Sequence, residues 1–263
     1  MIHSPFKRPV SKIKVRNKDK EADVLLYDEI GFFGVNAKDF ESQFNAIDAD
    51  TINLRIYSPG GDVFEGVAIA NTVARSKSKV IVHVDSLAAS IASYIAMFGD
   101  EVRIAKNARM MVHDPWGISI GGSEEMRKYA DLLDGIGDTI ADAYMEKSGK
   151  DKKEIFKAMA DETWFTAKEA VEFGLADSIE GETEIEDKFD LSVFNNVPDD
   201  LKSPVSITTR LLEAALRDAG CSKSEAKAIL HHGFRSLPDA DNDLPDAGNG
   251  LDELAKKWLG AFS

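Results

Sequence analysis

The chain has 263 residues, 43% of them hydrophobic and 30% charged, with a formal net charge of −14. That length and balance fit a globular protein with one sizeable domain plus an appendage, or two small domains. No run approaches the ~18–20 apolar residues of a membrane span, and the acidic excess speaks against nucleic acid as the main partner. A single cysteine, Cys221, allows no internal disulfide. It points to a reducing compartment and away from thiolate metal binding or cysteine catalysis.

The charge is unevenly spread. Residues 1–20 carry seven Lys/Arg against Asp19 alone, a basic arm that reads as a solvated tail or a contact for an acidic surface or nucleic acid. No apolar core follows it, so it is not read as a signal peptide. Ile13 and Val15 alternate with Lys12, Lys14 and Arg16, and residues 22–27 resume an apolar strand. The spacing therefore predicts a hairpin over 12–30. Phe40, Phe44 and Ile47 predict an amphipathic helix over 36–47. Residues 52–57 form the next strand and run into Ser58-Pro59-Gly60-Gly61. Pro59 fixes φ there, while the paired glycines allow positive φ and close backbone approach. A helix over 63–75 completes a βαβ crossover, which should be right-handed. This turn is either an ordinary βα loop or a place where the Gly61 N–H serves as an oxyanion donor.

Residues 80–84, Val-Ile-Val-His-Val, read as a buried strand, and 85–89 turn the chain with small residues. A helical pattern starts at Ser90, with Ile91, Ile95 and Phe98 on one face. Ser90 is thus either a helix N-cap or a nucleophile at a strand-to-helix turn, beside amides that favour negative charge. Two short strands follow, 101–104 and 109–113, separated by a turn at Lys106-Asn107 and read as a hairpin. His113 ends the second, one element beyond the serine, where it could act as a general base. Of the others, His3 is in the arm, His83 lies inside a strand, and His231-His232 have no carboxylate or thiolate at ligand spacing. Asp114 is a poor orienting acid, because neighbours on extended backbone point to opposite faces.

Ser123 is expected to cap a long helix reaching Ser148. Its stripe Met126, Tyr129, Leu132, Leu133, Ile136, Ile140 and Tyr144 is broader than a small domain buries, so the helix should project and pack on a partner subunit. Asp151 and Glu154 form a capping pair for a helix over 151–159. Thr166 and Glu169 form a capping box for one over 167–173, which Gly174 ends. Asp161 and Glu162 precede it under aromatic cover from Trp164 and Phe165.

SPGG followed by a helix, AASIAS after a β-branched strand, MVHDP after a hairpin, and FTAKEAVEFGLADSI resemble the Clp peptidase family, the ClpP-like serine proteases, in order and spacing. The resemblance covers residues 52–179. It implies an α/β fold of the ClpP/crotonase type, built from repeated β-β-α (βαβ) units with a projecting oligomerisation helix. It implies Ser90 as nucleophile, His113 as base, and Gly61 and Ile91 as oxyanion-hole amides. The third position falls on Glu162, with Asp161 as the alternative. No cofactor or metal is implied. One departure is the loop Asp85-Ser86-Leu87-Ala88-Ala89, where the family carries a glycine.

ETWFTA, the short basic N-terminus and the extra C-terminal region resemble the branch encoded by tailed phages for head maturation. That branch implies capsid or scaffold proteins as substrates, in the host cytoplasm or the prohead interior. A housekeeping-type ClpP subunit working with an AAA+ unfoldase is the alternative. A crotonase-type acyl-CoA enzyme and a non-catalytic assembly protein are the rivals from other classes. A ring-forming homo-oligomer is expected. The domain reading is a basic arm over 1–20, a peptidase domain over 21–180, an acidic linker over 181–206 and a small helical region over 207–263. The last comprises helices at 207–219, 222–230 and 251–262.

Overall fold

A computed structural model describes residues 14–18, 20–32, 34–183 and 189–201. The arm before residue 14, Cys221, His231-His232 and the C-terminal helices lie outside the described residues. In chain order the elements are β1 (Lys14–Lys18), β2 (Glu21–Leu26), α1 (Ala37–Phe44), β3 (Thr51–Ser58), α2 (Val63–Ala74), β4 (Lys79–Ala89) and α3 (Ile91–Ala96). They continue with β5 (Glu101–Ala105), β6 (Arg109–Val112), α4 (Ser123–Ser148), α5 (Lys152–Ala160), β7 (Thr163–Thr166), α6 (Ala167–Phe173) and β8 (Ser178–Glu180). Among the described residues no helix is long and apolar enough to cross a membrane.

β1 and β2 form the expected antiparallel hairpin, and β2, β3, β4, β5 and β8 then run parallel in that order. Alternation along β3 and the continuous apolar run of β4 suit strands covered on one face and on both faces respectively. Val24, Leu54, Val82, Val102 and Ile104 anchor the main core with Phe40, Ile69 and Ile95 from the helices, all fully buried. Burial of a side chain of this size is worth about 1.5–3 kcal/mol.

β5 and β6 are not a hairpin. β4 is 11 residues long; residues 81–84 pair with β5, whereas residues 87–89 pair with β6, which also pairs antiparallel with β7. The switch coincides with a bulge. Ile56 faces Val84, but Ser58 faces Ala88, so β4 spends extra residues there. A bulge bends its strand and re-aims the residues beyond it. Asp85 pins it: the buried carboxylate accepts the Arg55 Nε–H at 2.7 Å, a second Arg55 N–H, and the Tyr27 hydroxyl. Burial and the Asp85 charge push the Tyr27 phenol up to about 12, keeping it a donor.

Two local expectations change. The N-cap of α4 is Gly122, and Ser123 is its first helical residue with no side-chain cap bond. Tyr144, placed on the partner-facing stripe from sequence, is 2% exposed in this chain's own core with Ile140, whereas Met126 and Leu132 are exposed. α4 therefore anchors by its C-terminal half and projects by its N-terminal half.

Residues 189–201, within the stretch expected to be a linker, pack onto this body. Tyr57, Leu87, Ala89 and Met111 form a small cluster on the sheet, and Phe189, Leu191 and Phe194 cover it beside Tyr27 and Trp164.

Candidate active site

Ser90 sits where β4 breaks into α3, with φ 55° and ψ −131°, and its side chain makes no cap bond. A non-glycine residue in this region costs about 1–3 kcal/mol and persists where its surroundings enforce it. Here they do. The Ser90 N–H donates to Met111 O at 3.0 Å, and its carbonyl accepts from the Ser93 N–H at 2.9 Å and the Ser93 hydroxyl at 2.7 Å. Ser93 Oγ also lies 2.8 Å from Met111 O and 2.8 Å from the Tyr144 hydroxyl. Neither Ser93 nor Tyr144 stood out as a site residue in the sequence.

The glycine turn closes on the same point. Gly60 has φ 93°, and a Cβ there would stand 2.7 Å from both Ser90 Cβ and Ala89 O and 3.2 Å from Ile91 N. Only a residue without a side chain fits. Gly61 follows with φ 140°, braced against the Ile30 backbone. Gly60, Gly61, Ser90 and His113 share a groove of about 350 Å³.

His113 follows β6, and its Nε2 lies 2.7 Å from Ser90 Oγ. A bond of that length lets the serine O–H donate to Nε2, which leaves the ring proton on Nδ1. Burial lowers the His113 pKa, and the Glu162 charge only partly offsets this. The ring is therefore held neutral, the form that can accept a proton.

Glu162 is the other non-glycine residue at positive φ (47°) among the described residues, and it is 7% exposed. It shares a cavity of about 390 Å³ with His113 and Asp114. Its carboxylate accepts from the backbone N–H groups of Asn195 (2.9 Å) and Asn196 (2.6 Å), from Asn195 Nδ2 (3.3 Å) and from Trp164 Nε1 (3.4 Å). No hydrogen bond joins it to His113 among the described residues. Burial raises its pKa, but these donors and the His113 ring outweigh burial, so the net shift is downward and the group is a carboxylate. Asp161 is exposed and paired with Lys157 on α5. The two acids adjacent in sequence thus separate: Glu162 faces the His113 cavity, and Asp161 faces away on the helix end.

Residues 19–183 match the Clp protease family. The ATP-dependent Clp protease proteolytic subunit 1 of Chlamydia abortus is 34% identical over 131 residues, 47% of this chain and 67% of that protein. The ATP-dependent Clp protease proteolytic subunit of Chlorella vulgaris is 34% identical over 132 residues, 49% of this chain and 66% of that protein. The chain thus spans about two thirds of the length of these relatives. A solved ClpP1 mutant from Listeria monocytogenes superposes with a TM-score of 0.55 and 25% identity, covering 61% of this chain and 91% of that one. With the family model matched over more than half of its length, this chain belongs to the Clp protease family.

Proposed function

We propose that the chain is a serine endopeptidase in which Ser90 is the nucleophile and His113 the base. Glu162 is the charge partner of the imidazolium, and the Gly61 and Ile91 amides are the oxyanion donors. One observation carries the reading: a 2.7 Å Ser90–His113 bond made by a serine whose hydroxyl caps no helix. His113 Nε2 takes the hydroxyl proton as Oγ bonds to the peptide carbonyl carbon, and the carbonyl oxygen gains the negative charge beside the two amides. The C–N bond then breaks, and the His113 proton passes to the leaving amine. Water attacks the Ser90 ester carbon, giving a proton to His113; the C–Oγ bond then breaks, His113 returns that proton to Ser90 Oγ, and the acid product leaves. Removal of one oxyanion donor from a site of this kind costs on the order of 10²–10³ in rate.

The finer reading is a phage prohead maturation protease acting on capsid or scaffold proteins. It is supported by the basic start of the chain and by about 80 residues beyond the family match. The alternative, a subunit assisted by an AAA+ unfoldase, is supported by the ATP-dependent description of both relatives. A ring-forming homo-oligomer built through α4 suits either. The test is a fluorophosphonate probe with peptide mapping on the purified chain and on Ser90→Ala. Label on Ser90, with peptide hydrolysis lost in the variant, is expected. A labelled or active Ser90→Ala protein overturns the assignment.

A further inference from the structure

Residues 189–201 lie past the end of the family match at residue 183, yet they touch the site at several points. Phe189 packs against Tyr57 with ring centroids 4.7 Å apart. Phe194 stands edge-on between His113 (5.5 Å) and Trp164 (5.6 Å). Val193 and Phe194 wall the groove that holds Ser90, and Asp190 reaches it too. Asn196 Nδ2 donates to Asp161 O at 2.9 Å, and Arg109 pairs with Asp200 at 2.9 Å, fixing the far end.

The effect on Glu162 is specific. An ionised carboxylate has about four acceptor positions. Three donors from Asn195 and Asn196 and one from Trp164 engage it here, at 2.6–3.4 Å. A carboxylate that steadies an imidazolium must accept the Nδ1–H, and this one is engaged elsewhere. The segment is also a turn, with the Phe194 N–H donating to Leu191 O at 3.1 Å. It therefore narrows the groove without laying extended backbone past Ser90, as a substrate strand would.

Resting on the serine-peptidase reading, we infer that residues 189–196 form an intramolecular latch, which withholds Glu162 from His113 and blocks part of the Ser90 groove until it is displaced. Displacement frees the carboxylate for Nδ1–H and widens the groove in one movement. The site is then completed by whatever draws the segment off the sheet, such as an extended peptide competing for the groove.

The experiment uses the full chain with Phe194→Ala and, separately, Asn196→Pro, which removes the shortest donor to Glu162. Each should speed fluorophosphonate labelling of Ser90 and raise kcat/KM on an unstructured peptide by tenfold or more. The acid limb of the pH profile should move to higher pH, because a carboxylate on Nδ1–H favours the charged ring. That shift should vanish when Glu162→Gln is added to either variant, whereas a shift caused by lost burial of His113 would persist. In the wild-type chain, hydrogen exchange at the amides of residues 195 and 196 should accelerate once Ser90 carries the probe. Unchanged or slower labelling in both variants, or amide protection unaltered by the probe, overturns the latch while leaving the peptidase reading intact. Absence of labelling in the wild type and in both variants overturns the peptidase reading and the latch with it.

Discussion

Ser93 and Tyr144 share a 2.8 Å hydrogen bond across 51 residues of chain, and through it the projecting helix α4 grips the nucleophile turn. The Ser93 oxygen stands within 2.8 Å of the carbonyls of both Ser90 and Met111, so one hydroxyl ties β6, α3 and α4 together at the strained residue. Tyr144 is fully buried, which pushes its phenol far up and keeps it a donor. Ser93→Ala leaves Tyr144 without its partner and should cost about 1–3 kcal/mol, against about 1 kcal/mol for Tyr144→Phe. Both should slow labelling of Ser90. A thermal-melt double-mutant cycle reads the coupling, and strict additivity would count against the shared hydroxyl.

Gly60 sets a second limit on that turn. In Gly60→Ala the methyl would overlap Ser90 Cβ and Ala89 O at 2.7 Å, in a backbone region unfavourable to alanine. Either the glycine turn or the serine must retreat. Labelling of Ser90 should fall by on the order of a hundredfold, as when an oxyanion donor is lost. A chain that still melts cooperatively would place the damage in the site rather than in the fold.

The short-range parts of this architecture were readable from sequence because their causes are local. Pro59-Gly60-Gly61 after a strand, Ser90 between a β-branched run and a helical pattern, and the Thr166–Glu169 capping box each declare themselves within a few residues. The β4 bulge did not, since Asp85 matters through Arg55 and Tyr27, 30 and 58 residues away. The pairing of β6 with β4 rather than β5 depends on that bulge, so the hairpin expectation failed with it. Residues 189–201 are turn-rich and their Phe189, Leu191 and Phe194 follow no helical or strand period. Their place comes from the apolar cluster of Tyr57, Leu87 and Met111 on the sheet and from bonds to Glu162 and Arg109, all distant in sequence. The resemblance put Glu162 ahead of Asp161, but the positive φ at Glu162, which turns one acid inward and leaves the other out, had no signal in the sequence.

Acid should disable the site before it unfolds the chain. The folded His113 pKa lies below its unfolded value, so its neutral form adds stability above the unfolded value near 6.5, and that stability drains as pH falls below it. Glu162 also has a lowered folded pKa. Its contribution is present above the unfolded carboxylate value and disappears as pH drops through the folded one. Both act in the same direction, giving falling stability on the acid side. Glu162→Gln removes the charge that raises the His113 pKa. The acid limb of kcat/KM should therefore move to lower pH while the plateau falls on the order of 10²–10⁴-fold, as when an orienting carboxylate is neutralised. A plateau unchanged in Glu162→Gln would remove Glu162 from the mechanism.

The apolar surface before and along α4 bears on assembly. Trp116, Ile118 and Ile120 are 59%, 84% and 94% exposed, and Met126 and Leu132 are 41% and 49% exposed. Scattered exposed apolar side chains are ordinary, but five within 17 residues, ending on a helix anchored only by its C-terminal half, are what a subunit interface leaves bare in one copy. Ile120→Asp and Leu132→Glu place charges there without touching the main core. Sedimentation should show smaller species for both, and thermal melting of the dissociated chain should retain a cooperative transition. Burying an unpaired carboxylate in an interface is strongly unfavourable, so an unchanged sedimentation profile in both variants would mean that this face meets solvent and that subunit contacts lie on another surface.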